Sequence, residues 1–170
     1  MQTTADSITL FFPSQDATEA FAGRLARSIL AHEDEIAVSG FNLRLAGGLG
    51  AGKTTLTRAL LRACGVTGRV RSPTFELVEN YEIGRDLAFH HFDFYRFEDP
   101  AEFDEAGFRE LFGAGRVTAC EWSGKAGAYL PEADLEMTLS VEGLSRRAEL
   151  AAKSALGRAV LAEAAAEDGK

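Results

Sequence analysis

Residues 41–63 read FNLRLAGGLGAGKTTLTRALLRA, and the fold turns on how this stretch divides. Phe41 to Ala46 alternates apolar and polar positions, the two-residue period of a strand with one buried face. Glycines then crowd positions 47, 48, 50 and 52, and from Lys53 onward Leu56, Ala59, Leu60 and Ala63 recur at helical spacing. The order is strand, glycine loop, helix. The helix is expected to stop where Gly65 takes the left-handed conformation that ends helices.

The loop carries the chemistry. Gly47-x-x-x-x-Gly52-Lys53-Thr54 is the spacing at which successive backbone N–H groups point into one concavity. Glycines permit the tight backbone and its close approach to phosphate oxygens, Lys53 neutralises the β and γ phosphates, and Thr54 places its hydroxyl on Mg²⁺. The expected ligand is a purine nucleotide, with ATP favoured. None of the four lysines sits in the Asn-Lys-x-Asp pattern that reads guanine.

Working outward, Ile8 to Phe12 is a short β-prone run closed by Pro13, followed by a helix through Leu30 with Asp16 and Glu19 as its capping box. Leu25, Ile29 and Leu30 form its expected buried stripe. Phe75 to Glu82 and Leu87 to Asp93 flank Gly84-Arg85-Asp86, the pattern of an antiparallel hairpin. Helical segments are expected over Pro100 to Phe112, strands over Val117 to Glu121 and Leu135 to Val141, and a helix over Lys153 to Glu167, with residues 168–170 frayed. The 170 residues, 46% of them apolar, suit a single domain with a real core. The predicted class is α/β: a three-layer P-loop NTPase-like domain spanning 1–170 with a mixed, partly antiparallel central sheet.

Composition narrows the function. With 26 acidic against 18 basic residues and a net charge of −8, the chain repels a phosphate backbone, so any nucleic-acid role is expected to run through a partner. Cys64 and Cys120 match neither a metal spacing nor a secreted disulfide framework and read as structural, which fits a cytoplasmic protein. No apolar run reaches the roughly 18 residues that a membrane-crossing helix requires.

Two acids fall at strand ends, Asp93 and Glu121, where a phosphate-loop enzyme needs a carboxylate near magnesium and a group to position the attacking water. His90 and His91 point to opposite faces of their strand, so at most one is expected near the nucleotide. The run Phe89, Phe92, Phe94, Tyr95 and Phe97 reads mainly as core, with any outward members marking a partner surface; Trp122 invites the same choice. Ser72-Pro73-Thr74 is a loop whose hydroxyls suit a switch sensing the γ phosphate.

Taken together, Gly50-Ala51-Gly52-Lys53-Thr54-Thr55, Ser72-Pro73-Thr74-Phe75-Glu76-Leu77-Val78, His91-Phe92-Asp93-Phe94-Tyr95-Arg96, and Glu121-Trp122 followed by Leu130-Pro131 resemble one family: the TsaE (YjeE-type) ATPases of bacterial tRNA threonylcarbamoyladenosine biosynthesis. Order and spacing agree from Pro13 to Arg146. The resemblance implies a slow Mg²⁺-dependent ATPase acting with TsaD and TsaB proteins on adenosine 37 of tRNAs that read ANN codons. By matching position, Gly48, Gly50, Ala51, Gly52, Lys53, Thr54 and Thr55 hold the nucleotide, Thr54 and Glu121 hold Mg²⁺, and Asp93 assists hydrolysis. Trp122 then lies beside that site, Arg146 near the nucleotide, and Pro13 to Thr18 near the adenine. Gly48 departs from the family, which usually carries Asp or Glu there; the cradle itself is built from backbone groups and survives the change. The competing readings are a small-molecule or nucleoside kinase, which needs an arginine-bearing lid drawn from Arg85, Arg96, Arg109 or Arg116, and a binding module gated by nucleotide.

Overall fold

The computed structural model describes residues 6–73 and 77–166. Its strands are β1 (Ser7–Phe12), β2 (Phe41–Ala46), β3 (Val78–Ile83), β4 (Leu87–Asp93), β5 (Arg116–Glu121), β6 (Leu135–Glu142) and β7 (Ser145–Ala152). Its helices are α1 (Gln15–Ala31), α2 (Glu33–Ser39), α3 (Lys53–Ala63), α4 (Glu102–Glu105) and α5 (Ala155–Ala165). The strands form one sheet in the order β1-β7-β6-β2-β5-β4-β3. β6, β2, β5 and β4 run parallel, while β7 and β1 on one side and β3 on the other add antiparallel pairs. The mixed sheet and the hairpin around Gly84 are as the sequence implied.

Alternation along the strands divides two cores. Leu43 and Leu45 of β2, Phe89 of β4, and Val117 and Ala119 of β5 face α1, α3 and α5, packing on Phe21, Leu25, Leu56, Leu60 and Val160. Phe92 and Cys120 face the other way, into a compact aromatic cluster with Phe94, Phe97, Phe103 and Phe108 beneath α4 and short 3₁₀ turns. This second layer covers only part of the sheet; at the β6-β7 end Thr138, Ser140 and Glu149 on the same face are exposed. Most of the aromatic run is therefore core, as the sequence implied. Each fully buried Leu or Phe contributes about 1.5–3 kcal/mol by leaving water, so both clusters matter to stability.

Several local expectations are corrected. Ser14, not Asp16, caps α1: its hydroxyl accepts from Ala17 N, Asp16 sits in the first turn, and Glu19 accepts from Gln15 instead. On α3 the stripe is Leu56, Thr57, Leu60 and Leu61, while Ala63 is exposed and Leu30 of α1 is only half-buried. α3 does end at Gly65, with Val66 N bonded to Leu61 O and Gly65 N to Arg62 O, the paired bonds of a Schellman ending. The helical segments expected over Pro100 to Phe112 are present as the short α4 and a 3₁₀ turn at Phe108–Leu111. α5 starts after its cap Ser154, two residues later than expected. The anticipated strand start at Phe75, Thr74 at the end of the Ser72-Pro73-Thr74 segment, Glu76, Glu167 and the frayed tail lie outside the described residues.

Candidate functional site

β2, central in the sheet, delivers the glycine loop at its C-terminal end, and α3 begins at Lys53. Gly47 has φ 143°, and a Cβ there would meet Leu139 O at 2.5 Å, so only glycine fits. Lys53 is 7% exposed. Its Nζ donates to Gly47 O, lies 3.9 Å from Glu121 Oε1 and stands 5.1 Å from the centre of the Trp122 ring. The ammonium is thus held over the loop by a carbonyl, a carboxylate and an aromatic face. The unpaired N–H groups of the first turn of α3 and its helix dipole favour an anion at the same spot.

Asp93 and Glu121 end adjacent parallel strands as register partners. They share the sheet face of α3, because Glu121 continues the Val117, Ala119 alternation and Asp93 that of Leu87 and Phe89. Glu121 is buried, and its Oε2 accepts from His91 Nε2 at 2.9 Å. Burial pushes the Asp93 carboxyl above the usual aspartate range, the Glu121 carboxylate pushes the same way, and the Tyr95 N–H donated to Oδ1 at 3.0 Å opposes them. Both acids line the cleft at the mouth of the loop. His90 is on the far face, bonded to Asn80 Oδ1 and accepting from Arg116, so of the two histidines only His91 reaches the site.

The backbone bends away directly after Glu121. Trp122 has φ 59°, a left-handed conformation costly for an aromatic residue. The bend lays its ring against Tyr95, centroids 4.9 Å apart, and Lys125 Nζ stands 5.8 Å from the Tyr95 ring. Tyr95 is 57% exposed and belongs to the site rather than to the core. The sequence reading missed this; the one tyrosine among phenylalanines was the available signal, since its hydroxyl suits a wet edge.

These groups wall a cleft of about 420 Å³, within the size range of small-ligand sites. Gly48, Gly50, Ala51, Gly52, Lys53, Thr54 and Thr55 line it from the loop, Asp93 and Glu121 from the strand ends, and Arg146 from β7. Leu49, Tyr95 and Trp122 complete the wall. A contiguous recess of about 230 Å³ shares Gly52, Thr55 and Arg146 and adds Ser14, Gln15, Thr18 and Leu144. The segment Pro13 to Thr18 is therefore beside the loop. Arg146, register partner of Phe12, donates to Gly50 O at 3.2 Å and ties β7 to the loop. Ser72 is exposed, and the described cleft wall does not include it.

The donor set fits magnesium: a threonine hydroxyl and a carboxylate are hard oxygens of the kind the ion takes. Among the described residues no group of three or more His, Cys, Asp or Glu could hold a metal. An ion here must complete its shell with phosphate oxygens and water, as nucleotide-bound magnesium does. Three of the arginines a kinase lid requires are engaged elsewhere: Arg85 with Glu33 and Asp34, Arg109 with Asp104 and Tyr129 O, Arg116 with His90.

A glycine loop between a central parallel strand and a helix, with its lysine facing acids on the next strands, defines a P-loop fold of the α/β class. The chain belongs to the TsaE family: the family profile described as "Threonylcarbamoyl adenosine biosynthesis protein TsaE" matches residues 12–149. The tRNA threonylcarbamoyladenosine biosynthesis protein TsaE of Haemophilus influenzae is 37% identical over 156 residues, covering 92% of this chain and 96% of its own length. The protein of the same name from Nostoc sp. is 33% identical, with 88% and 89% covered. The crystal structure of Bacillus subtilis YdiB superimposes with a TM-score of 0.70 at 24% identity, covering 96% of this chain and 97% of that one, and shows the same fold. No helix among the described residues is long and apolar enough to cross a membrane.

Proposed function

We propose that this chain is the ATP-binding, slowly hydrolysing, Mg²⁺-dependent subunit of a cytoplasmic tRNA-modifying assembly, working with TsaD-like and TsaB-like proteins to place threonylcarbamoyl on adenosine 37 of tRNAs that read ANN codons. The observation that carries it is the placement of Lys53, Asp93 and Glu121 around one cleft at the loop's mouth.

The loop's N–H groups and Lys53 bind and neutralise the phosphates, which orders the γ phosphate against the strand ends. Magnesium, when held by Thr54 and Glu121, supplies charge stabilisation at the phosphate oxygens. Asp93 is half-buried and its carboxyl is oriented by the Tyr95 N–H, which supports reading it as the group that aligns an attacking water. Ser14, Gln15, Thr18 and Arg146 line the recess that receives the rest of the nucleotide. The net charge of −8 argues that tRNA is met through the partners.

The test is reconstitution with TsaD, TsaB and tRNA, reading modified adenosine over repeated turnovers. Lys53→Ala is expected to stop modification. Glu121→Ala is expected to retain ATP binding while losing Mg²⁺-dependent turnover; undiminished modification through many cycles with either variant would sink the reading. ATP loss stoichiometric with a phosphorylated small molecule would point to a kinase instead.

A further inference from the structure

Glu121 is the carboxylate read above as a magnesium ligand beside Thr54, and the group that contacts it comes from the neighbouring strand. His91 lies opposite Ala119 in the β4–β5 register, with Asp93 opposite Glu121, so His91 and Glu121 meet on a diagonal of one sheet face. The ring is buried, 2% exposed, and its Nε2 is 2.9 Å from Glu121 Oε2. The other oxygen, Oε1, faces Lys53 at 3.9 Å. The two oxygens are thus divided, one toward the histidine and one toward the phosphate loop.

An ionised carboxylate only accepts hydrogen bonds, so in this pair Nε2–H is the donor. Nδ1 is buried and has no hydrogen-bond partner among the described residues. A core that needed only volume would be better served by phenylalanine, which leaves no polar atom unpaired. The bond to Glu121 is what the imidazole adds at this position.

We propose that His91 is a positioning residue: its Nε2–H locks the Glu121 carboxylate so that Oε1 is presented to the cleft, and it thereby sets the magnesium requirement of turnover while leaving affinity for ATP alone unchanged. The proposal rests on the reading of Glu121 as magnesium ligand.

The experiment compares the full chain with His91→Phe, His91→Gln and Glu121→Ala by calorimetric titration of ATP with and without MgCl₂, and by turnover against MgCl₂ concentration. His91→Phe is expected to bind ATP alone within about twofold of the parent, to lose the gain in affinity that Mg²⁺ confers, and to need about 10- to 100-fold more Mg²⁺ for half-maximal turnover or to lose rate by that factor. His91→Gln, which keeps a donor near the same place, is expected to recover most of the loss; a merely space-filling ring predicts no such rescue. Nitrogen NMR of the unsubstituted protein provides a check independent of any variant's folding: the His91 ring is expected as the Nε2–H tautomer, and an Nδ1–H tautomer overturns the proposal. Parental Mg²⁺ dependence in His91→Phe also overturns it if Glu121→Ala has lost that dependence. Should Glu121→Ala keep it as well, the reading of Glu121 has failed first and takes this proposal with it.

Discussion

Asp93 and Glu121 stand side by side as the last residues of two parallel strands, on the face that carries the phosphate loop. Their surroundings separate them: Glu121 is buried between His91 and Lys53, whereas Asp93 is half-buried and bonded to a backbone N–H. The roles proposed for them differ in the same way, ion ligand for Glu121 and water-aligning group for Asp93. Asp93→Asn keeps the Tyr95 N–H satisfied and is expected to lower ATP turnover about 100-fold with ATP affinity preserved. Single-turnover hydrolysis beside equilibrium binding checks it, and a tenfold fall in affinity would contradict the assignment.

The same substitution has a signature in stability. The Asp93 carboxyl is raised by burial first and by the Glu121 carboxylate in addition. The native state therefore holds this proton at pH values where the unfolded chain has lost it, and stability falls as pH climbs from the ordinary aspartate value of about 3.8 through the native one. Asp93→Asn is expected to be more stable than its parent at pH 7, with the gap closing below pH 3.8. Urea titrations across that range measure the gap.

His90 gives the opposite slope. Burial, with help from the Arg116 guanidinium that bonds Nε2, pushes its pKa down from 6.5 to about 4. The unfolded chain takes up this proton first, so the stability of the neutral, buried ring is intact above pH 6.5 and is lost progressively as pH falls toward 4. His90→Gln removes one titrating group, and its unfolding free energy is expected to fall less steeply over that window than the parent's.

Two glycines make a paired prediction about packing. A Cβ on Gly157, in the first turns of α5, would stand 1.9 Å from Asp134 O, a backbone atom that cannot step aside. Gly157→Ala is expected to cost on the order of 3 kcal/mol. Gly48 has open space around its Cβ position and no positive φ. Gly48→Asp is expected to change stability by less than about 0.5 kcal/mol. Thermal unfolding separates the two, and nucleotide titration of Gly48→Asp then reports what an acid at that position does to phosphate binding.

Much of this architecture was legible in the sequence where period and punctuation agree. β2, the loop and α3 announce themselves by alternation, glycine spacing and helical recurrence, and the hairpin by Gly84. β7 was not legible. Its residues SRRAELAA are rich in alanine and charge, with little strand preference of their own. They become a strand because Ala148, Leu150 and Ala152 bury one face while β1 and β6 pair on either side. α2 was missed because a single residue, His32, parts it from α1. At the site, the loop and both acids could be read from spacing, but the meeting of His91 with Glu121 depends on strand register, which no pattern in the chain displays.

β7 also sets a timetable. β1 has no other neighbour in the sheet, and Arg146, which braces Gly50, enters with the same strand. A growing chain therefore carries residues 47–54 long before it owns the wall that encloses them. Truncation ahead of residue 145 would unmoor the first strand and remove the last wall of the cleft together.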